Sequence, residues 1–341
     1  MNKVLKSVLI ALAGVVAIAA GVAAYVAATF DPNQYKPRLV EAVKEKTGRT
    51  LKLDGDIRLS FFPTIGATLG KASLSEAGSE REFAGFDELR VALKLLPLLS
   101  KEVVVDTVAV RNLRARIVKA KDGRSNLDDL AGGDKKAPAS AAKDAGGAPA
   151  LKIDIAGVSV ENAAVSFVDE AAGATYALSA LNLKTGRIAP GVPARIELAA
   201  RLQGDKPKVD LETALKTTLS FDLEHQHYAL AGFEFSAKGL AAGIANLAAS
   251  AKGEVDAQMA GNEIAVTKVE VKASGRHEAG DLDLKLAVPK LALSKDKVSG
   301  EKIALDAALN GPQRKLAATL TGTLAADLAK QSASLRWGPF K

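Results

Sequence analysis

Three histidines and scattered carboxylates are the side chains in this sequence best suited to chemistry, and their spacing assembles no reactive set. His225 and His227 flank Gln226 just after Asp222 and Glu224, in a polar stretch that reads as a hairpin turn. Two imidazoles at that spacing need further ligands supplied by the fold before they hold a metal. His277 lies in another polar run, Ser274-Gly275-Arg276-His277-Glu278, which reads as a loop. Cysteine is absent, which excludes disulfides and thiolate metal sites. No Gly-x-Ser-x-Gly elbow, phosphate loop or dinucleotide fingerprint occurs, and no carboxylate pair has acid–base spacing. The expectation is a non-enzymatic protein without catalytic residues, metal or cofactor.

If the side chains do not react, their distribution must carry the function. The chain has 341 residues, enough for one large or two medium domains, with 48% hydrophobic but only 4% aromatic residues. Its core must therefore draw on Leu, Val, Ile and Ala. The formal charge is +7, yet the cations alternate with acids, as in Lys206, Lys208, Asp210, Glu212 and Lys216. That pattern is a solvated sheet face. It lacks the basic stripe with interleaved aromatics that nucleic acids require, so no nucleic-acid partner is expected.

Lys3 and Lys6 precede an uncharged run from Ser7 to Phe30. At about 1.5 Å per helical residue such a run crosses a hydrocarbon core of about 30 Å. It exceeds the apolar region of a cleavable signal peptide. Residues 1–30 are therefore predicted to be a retained transmembrane anchor with the N-terminus in the cytoplasm and the remainder outside. Asp31 reads as an N-cap and Pro32 as a first helical residue, with Gln34 placed as a capping-box partner. A short helix is predicted to run to about Thr47, irregular at its start because of Pro37 and stopped by Gly48, and to cover one end of a sheet.

From Thr50 the hydrophobic period becomes two. Leu51 and Leu53, then Ile57, Leu59 and Phe61, alternate with polar residues around Asp54-Gly55-Asp56. A three-residue loop pairing Leu53 with Ile57 and Leu51 with Leu59 keeps one apolar face, with Gly55 or its neighbour left-handed. Further strands are predicted over 65–74, 88–95, 103–110 and 113–119, with 95–99 a short apolar turn or bend and 125–130 one helical turn. Residues 131–150 contain no bulky apolar side chain and read as a flexible linker or loop. From 151 to 341 strands follow one another through short turns, which predicts antiparallel meanders. Only 240–251 reads as helical. A one-sided sheet must cover its apolar face, and this sequence offers almost no helices to do so. From periodicity, the cover is either a second sheet, giving a closed sandwich or barrel, or something that is not protein.

Several motifs are familiar in their order. Phe30-Asp31-Pro32-Asn33-Gln34-Tyr35-Lys36-Pro37 follows the anchor. Then come Thr47-Gly48-Arg49, Leu53-Asp54-Gly55-Asp56, Ser60-Phe61-Phe62-Pro63, Leu69-Gly70, Leu96-Pro97-Leu98-Leu99 and Val110-Arg111-Asn112-Leu113. The run Asp122-Gly123-Arg124-Ser125-Asn126-Leu127-Asp128-Asp129-Leu130 closes the set. Together they resemble the AsmA family of bacterial inner-membrane-anchored periplasmic proteins, specifically over 1–130 and more loosely beyond. The family's recurring C-terminal block is not found, which suggests a fragment or a shortened paralogue.

The resemblance implies a mainly β fold: a long, curved, antiparallel sheet forming a taco-like groove, as in bridge-like lipid transfer proteins. The implied division is an anchor (1–30), a helix with the start of the groove (31–130), a linker (131–150) and a second groove region (151–341). It implies a single-pass inner-membrane protein with its bulk in the periplasm. The implied partners are phospholipids, the inner membrane, and outer-membrane or envelope proteins. The candidate groove lining is Leu51, Leu53, Ile57, Leu59, Phe61, Leu198, Leu211, Leu219, Phe221 and Phe235. The competing expectation is a periplasmic assembly or scaffold factor with a closed β-sandwich core, and the two remain open at the level of sequence.

Overall fold

The computed structural model describes residues 31–60, 64–94, 105–130, 154–312 and 314–338. The predicted anchor, Phe61, the 95–99 turn and the 131–150 linker lie outside them. Among the described residues no helix is long and apolar enough to cross a membrane.

The chain enters through a 3-10 turn, Pro32–Tyr35, that runs into helix α1, Lys36–Thr47. Asp31 caps the turn, its carboxylate accepting from the Asn33 N–H at 2.9 Å. Pro37 falls in the first α-helical turn, where a missing N–H costs no intrahelical bond. The irregular start predicted from it is the 3-10 turn. Gly48 ends the helix at φ 66°, its N–H donating to the Lys44 carbonyl at 2.9 Å. A left-handed residue is needed there, and glycine has no Cβ to oppose it.

Among the described residues nineteen strands follow in one sheet. They are β1 (Leu51–Leu53), β2 (Ile57–Ser60), β3 (Ile65–Leu69), β4 (Ala72–Ser75), β5 (Glu82–Phe86), β6 (Glu88–Leu93), β7 (Val105–Arg111) and β8 (Arg114–Lys119). The longer strands are β9 (Ile155–Asp169), β10 (Ala174–Thr185), β11 (Ala194–Asp205), β12 (Lys208–Asp222), β13 (His227–Ala241), β14 (Ile244–Gln258), β15 (Glu263–His277), β16 (Gly280–Ser294), β17 (Lys297–Asn310) and β18 (Lys315–Asp327). The short β19 (Ser332–Trp337) comes last.

The Asp54-Gly55-Asp56 hairpin does not form. β1 pairs with β4, Leu51 opposite Leu74, while β2 pairs with β3, Ile57 opposite Leu69. β1 and β2 are thus two halves of one strand, and β3 and β4 are two halves of the next. Gly55 and Gly70 mark the break, where the two antiparallel strands come closest. The Gly55 N–H donates to the Lys71 carbonyl at 2.7 Å, and the Gly70 N–H to the Asp56 carbonyl at 3.0 Å. Gly55 is not in the left-handed region; it is glycine because a Cβ there would lie 2.2 Å from the Lys71 nitrogen. Glycine in a strand marks close backbone approach as well as turns, and the Asp-Gly signal does not separate the two. Gly55→Ala must push the strands apart, and a loss of about 2–4 kcal/mol in urea unfolding is expected from such a clash.

Two further expectations are corrected. The 240–251 segment is extended: it holds the end of β13, the turn at Ala242-Gly243 and the start of β14. Alanine favours helices locally, but pairing on both sides outweighs propensity here. The sheet is also not antiparallel throughout, because β9 runs parallel to both β7 and β8. Parallel neighbours need a long connection between them, and the 131–150 stretch lies in that connection.

From β9 to β19 ten successive antiparallel pairings follow. At about 4.8 Å per step this is roughly 50 Å of sheet. The register shifts repeatedly along it, as between Lys216 and Thr218, Leu230 and Phe233, Lys252 and Glu254, and Gly300 and Ile303. Bulges of this kind bend the bulged strand and sharpen its twist. They also move the apolar residues from even to odd positions, as from Leu230 to Phe233.

No register joins β19 to β1 or β2, so the sheet is open. Nor is there a sandwich core. The buried apolar side chains among the described residues number ten, and eight are alanines. A closed core drawn from this many leucines would bury them, and none is buried. The closed-sandwich expectation is therefore wrong.

Candidate functional site

Residues paired across strands share a face, so the registers assign every strand's sides. Leu198 lies opposite Leu215, and Leu215 opposite Phe235. On the same strands Leu211 faces Leu202, Leu219 faces Leu230, and Phe221 faces Tyr228. The N-terminal strands join the same face by two routes. One runs Leu51–Leu74–Ala84–Ala115–Val165–Leu178–Leu202. The other runs Ile57–Leu69–Leu89–Val110–Val160–Leu183–Leu198. Leu53 and Leu59 sit one repeat along from Leu51 and Ile57, opposite Ala72 and Ala67. Nine of the ten lining candidates thus occupy one continuous face, and Phe61 lies outside the described residues.

From β11 to β19 no Asp, Glu, Lys or Arg holds a paired position on this face. The threonines within it direct their hydroxyls to the backbone. Thr213 donates to the Ala200 carbonyl at 2.9 Å and Thr217 to the Ala231 carbonyl at 3.4 Å. Among the described residues nothing covers the face: Phe235 is 39% exposed, Leu316 58% and Leu335 52%. A soluble surface seldom leaves so long a run of large apolar residues in water without a ligand or partner to meet it. Near one rim the face deepens into a recess of about 560 Å³ walled by Ile244, Leu247, Leu282, Leu284, Leu309 and Leu316. Its floor is made of small residues, Ala273, Gly275, Ala307 and Ala318.

The opposite face carries the charge. Lys184, Glu197, Lys216, Glu234, Lys252 and Glu270 stand opposite one another in sequence across six strands, alternating in sign. Nearby, Arg201 and Asp210 form a two-pronged pair at 2.8 Å for each bond. A recess of about 520 Å³ over the ladder is lined by its own compensating charges. The charge on this face is therefore set largely in paired rows of opposite sign.

The histidines stay apart. His225 Nδ1 pairs with Asp222 at 2.8 Å, while His227 Nε2 pairs with Asp256 at 2.9 Å. Among the described residues no three His, Asp or Glu side chains are grouped to hold a metal. Hydrogen bonds from His225 hold the Asp222 carboxyl below its ordinary range, and Asp222 raises His225 in turn.

One buried polar cluster escaped the sequence reading, although both of its motifs were visible. Arg49 is fully buried. Its Nε and Nη2 donate to the two Asp129 oxygens at 2.7 and 2.6 Å, and Nη1 to the Ser75 carbonyl at 3.1 Å. Nη2 also reaches the Asn126 carbonyl, and the guanidinium lies 4.3 Å over the Phe83 ring. Asn126 is fixed as well, its Oδ1 accepting from the Val118 N–H at 3.0 Å and its Nδ2 donating to the Arg116 carbonyl at 2.9 Å. The latch thus joins the end of α1, β4, β5 and the 122–130 loop. Eighty positions separate its two halves, so no local pattern announces it.

These ion pairs set the response to acid. Hydrogen bonds from Arg49, Arg187 and Arg201 hold the Asp129, Asp154 and Asp210 carboxyls below their ordinary value. A depressed folded-state pKa adds stability above the unfolded value and loses it as pH falls through the folded value. Thermal unfolding should therefore be flat from neutrality to about pH 5 and fall steadily below about pH 4. The His225 contribution has the opposite sign, being lost as pH rises through its raised value, and is small because the pair is exposed.

The comparisons with known proteins follow the same outline. The profile of the AsmA family matches residues 1–332. Protein AsmA of Escherichia coli (strain K12) is 31% identical over 111 residues, a stretch covering 33% of this chain and 17% of that protein. The match thus spans well under two thirds of that relative's length.

Proposed function

The chain belongs to the AsmA family, and from that premise we propose that it is a cell-envelope protein whose apolar face carries phospholipid acyl chains. The observation that supports this reading is an apolar face, free of Asp, Glu, Lys and Arg at its paired positions over the roughly 40 Å from β11 to β19, that no element among the described residues covers. Acyl chains satisfy such a face and need no catalytic group, only continuity of the lining. Headgroups would remain at the wet rim, where the strand turns are polar. In this reading residues 1–30 anchor the chain in the inner membrane with the N-terminus cytoplasmic. Helix α1 then sits at the membrane-proximal edge and the strands lead away from it through the periplasm. Residues 31–130 begin the groove and 151–341 continue it. Docking to outer-membrane or other envelope proteins is compatible with this role, but it no longer rests on a closed core.

The test is mass spectrometry of lipids retained by the full chain after mild extraction and exchange into a lipid-free detergent. Phospholipid near stoichiometric amount is expected. A folded protein that retains none would overturn the proposal.

A further inference from the structure

Residues 31–37 have no part in the apolar face, yet Asn33 makes an unusual contact with the sheet. β2 lies at the sheet's first edge and, among the described residues, has a strand partner, β3, on one side only. The Gly70 N–H donates to the Asp56 carbonyl at 3.0 Å, which turns that carbonyl towards β3. Polar groups alternate sides along a strand, so the N–H and C=O of Ile57 point outward. Asn33 takes both. Its Oδ1 accepts from the Ile57 N–H at 2.9 Å, and its Nδ2 donates to the Ile57 carbonyl at 3.2 Å.

The carboxamide is held in place from behind. Asp31 Oδ1 accepts from the Asn33 N–H at 2.9 Å and from its Nδ2 at 3.0 Å. Both hydrogens of Nδ2 therefore have acceptors, which fixes the orientation of the amide. Lys36 clamps the same corner, its Nζ lying 3.3 Å from Asp56.

We infer that Asn33 serves as a one-residue strand, closing the first edge of the sheet to strand addition and fixing that edge to the helix. An edge with unpaired N–H and C=O groups is a template for another chain. A carboxamide presents a donor and an acceptor side by side, as a strand residue does. Serine is too short to reach both groups, and aspartate sets a carboxylate oxygen against the Ile57 carbonyl. Asn33 is thus a positioning residue, and its role holds whether or not lipid occupies the apolar face.

The chain has no cysteine, so Arg58→Cys, at an exposed position next to Ile57, gives a clean reporter of edge-to-edge contact. In the full chain in detergent, mild oxidation should yield little disulfide-linked dimer while Asn33 is present. Asn33→Asp should raise that yield at least about fivefold through the opened edge. Hydrogen exchange should show the Ile57 amide losing about tenfold or more of its protection while amides of β12–β14 keep theirs. Should Asn33→Asp unfold the sheet, Asn33→Ser, which removes both bonds without adding charge, is read in the same way. Unchanged dimer yield in both variants, or a uniform loss of protection across the sheet, would overturn the inference.

Discussion

Asp129→Ala should be among the most damaging single substitutions in the chain, lowering stability by about 3–5 kcal/mol. The reason is what it leaves behind. Arg49 is fully buried and donates two of its hydrogen bonds to Asp129. With the carboxylate gone, a guanidinium remains in a site built to neutralise it, and desolvating an unpaired charge is far more costly than losing an exposed ion pair. Asp129 itself is about one-third exposed, so water relieves part of the loss and the lower end of the range is expected. Arg49→Met combined with Asp129→Ala should cost less than Asp129→Ala alone, because no charge is then stranded. Urea midpoints of the three proteins measure this directly. Equal losses would mean that the latch acts through packing alone.

The second large effect is on function. On the proposed function, Phe235→Asp should leave the protein folded and abolish retention of phospholipid. Phe235 stands between Leu215 and Ala251 on the apolar face and is 39% exposed. Its replacement forfeits partial burial and cross-strand contact, about 1–2 kcal/mol, whereas an aromatic in a closed core would cost about 3–5 kcal/mol or more. For an acyl chain the same change places a carboxylate mid-path, and the lining is broken at one strand. Thermal unfolding together with lipid content separates the outcomes. A folded variant that still retains phospholipid would remove Phe235 from the path.

Much of this was legible in the sequence, because period-two alternation is the direct signature of a one-sided sheet. Leu211, Leu219 and Phe221 fall on one side of their strand by counting alone. So do the helix from Lys36 to Thr47 and its stop at Gly48, which rest on local capping chemistry. What failed was non-local. Gly55 looks like a turn residue until Gly70 is known to lie against it. The 240–251 segment looks helical because alanine lines both faces there, which hides the alternation. The parallel step at β9 leaves no trace in a strand pattern, since either orientation alternates equally well. Arg49 and Asp129 stood in two noticed motifs, but their meeting depends on β4, β5 and the 122–130 loop being folded first. The shortage of covering helices left a closed sandwich and an open face both standing, and only the family resemblance pointed to the open one. The absence of any buried leucine among the described residues decides against the closed core.

The most direct test uses two neighbouring positions that face opposite ways. Glu234 belongs to the charged ladder and Phe235 to the apolar face. A photoactivatable phenylalanine analogue installed at one position or the other, in the full chain in its native membrane, reports what each face touches. Phospholipid adducts should form at Phe235 and be absent at Glu234. Equal labelling at both positions, or no lipid at Phe235, would contradict the assignment of that face to acyl chains.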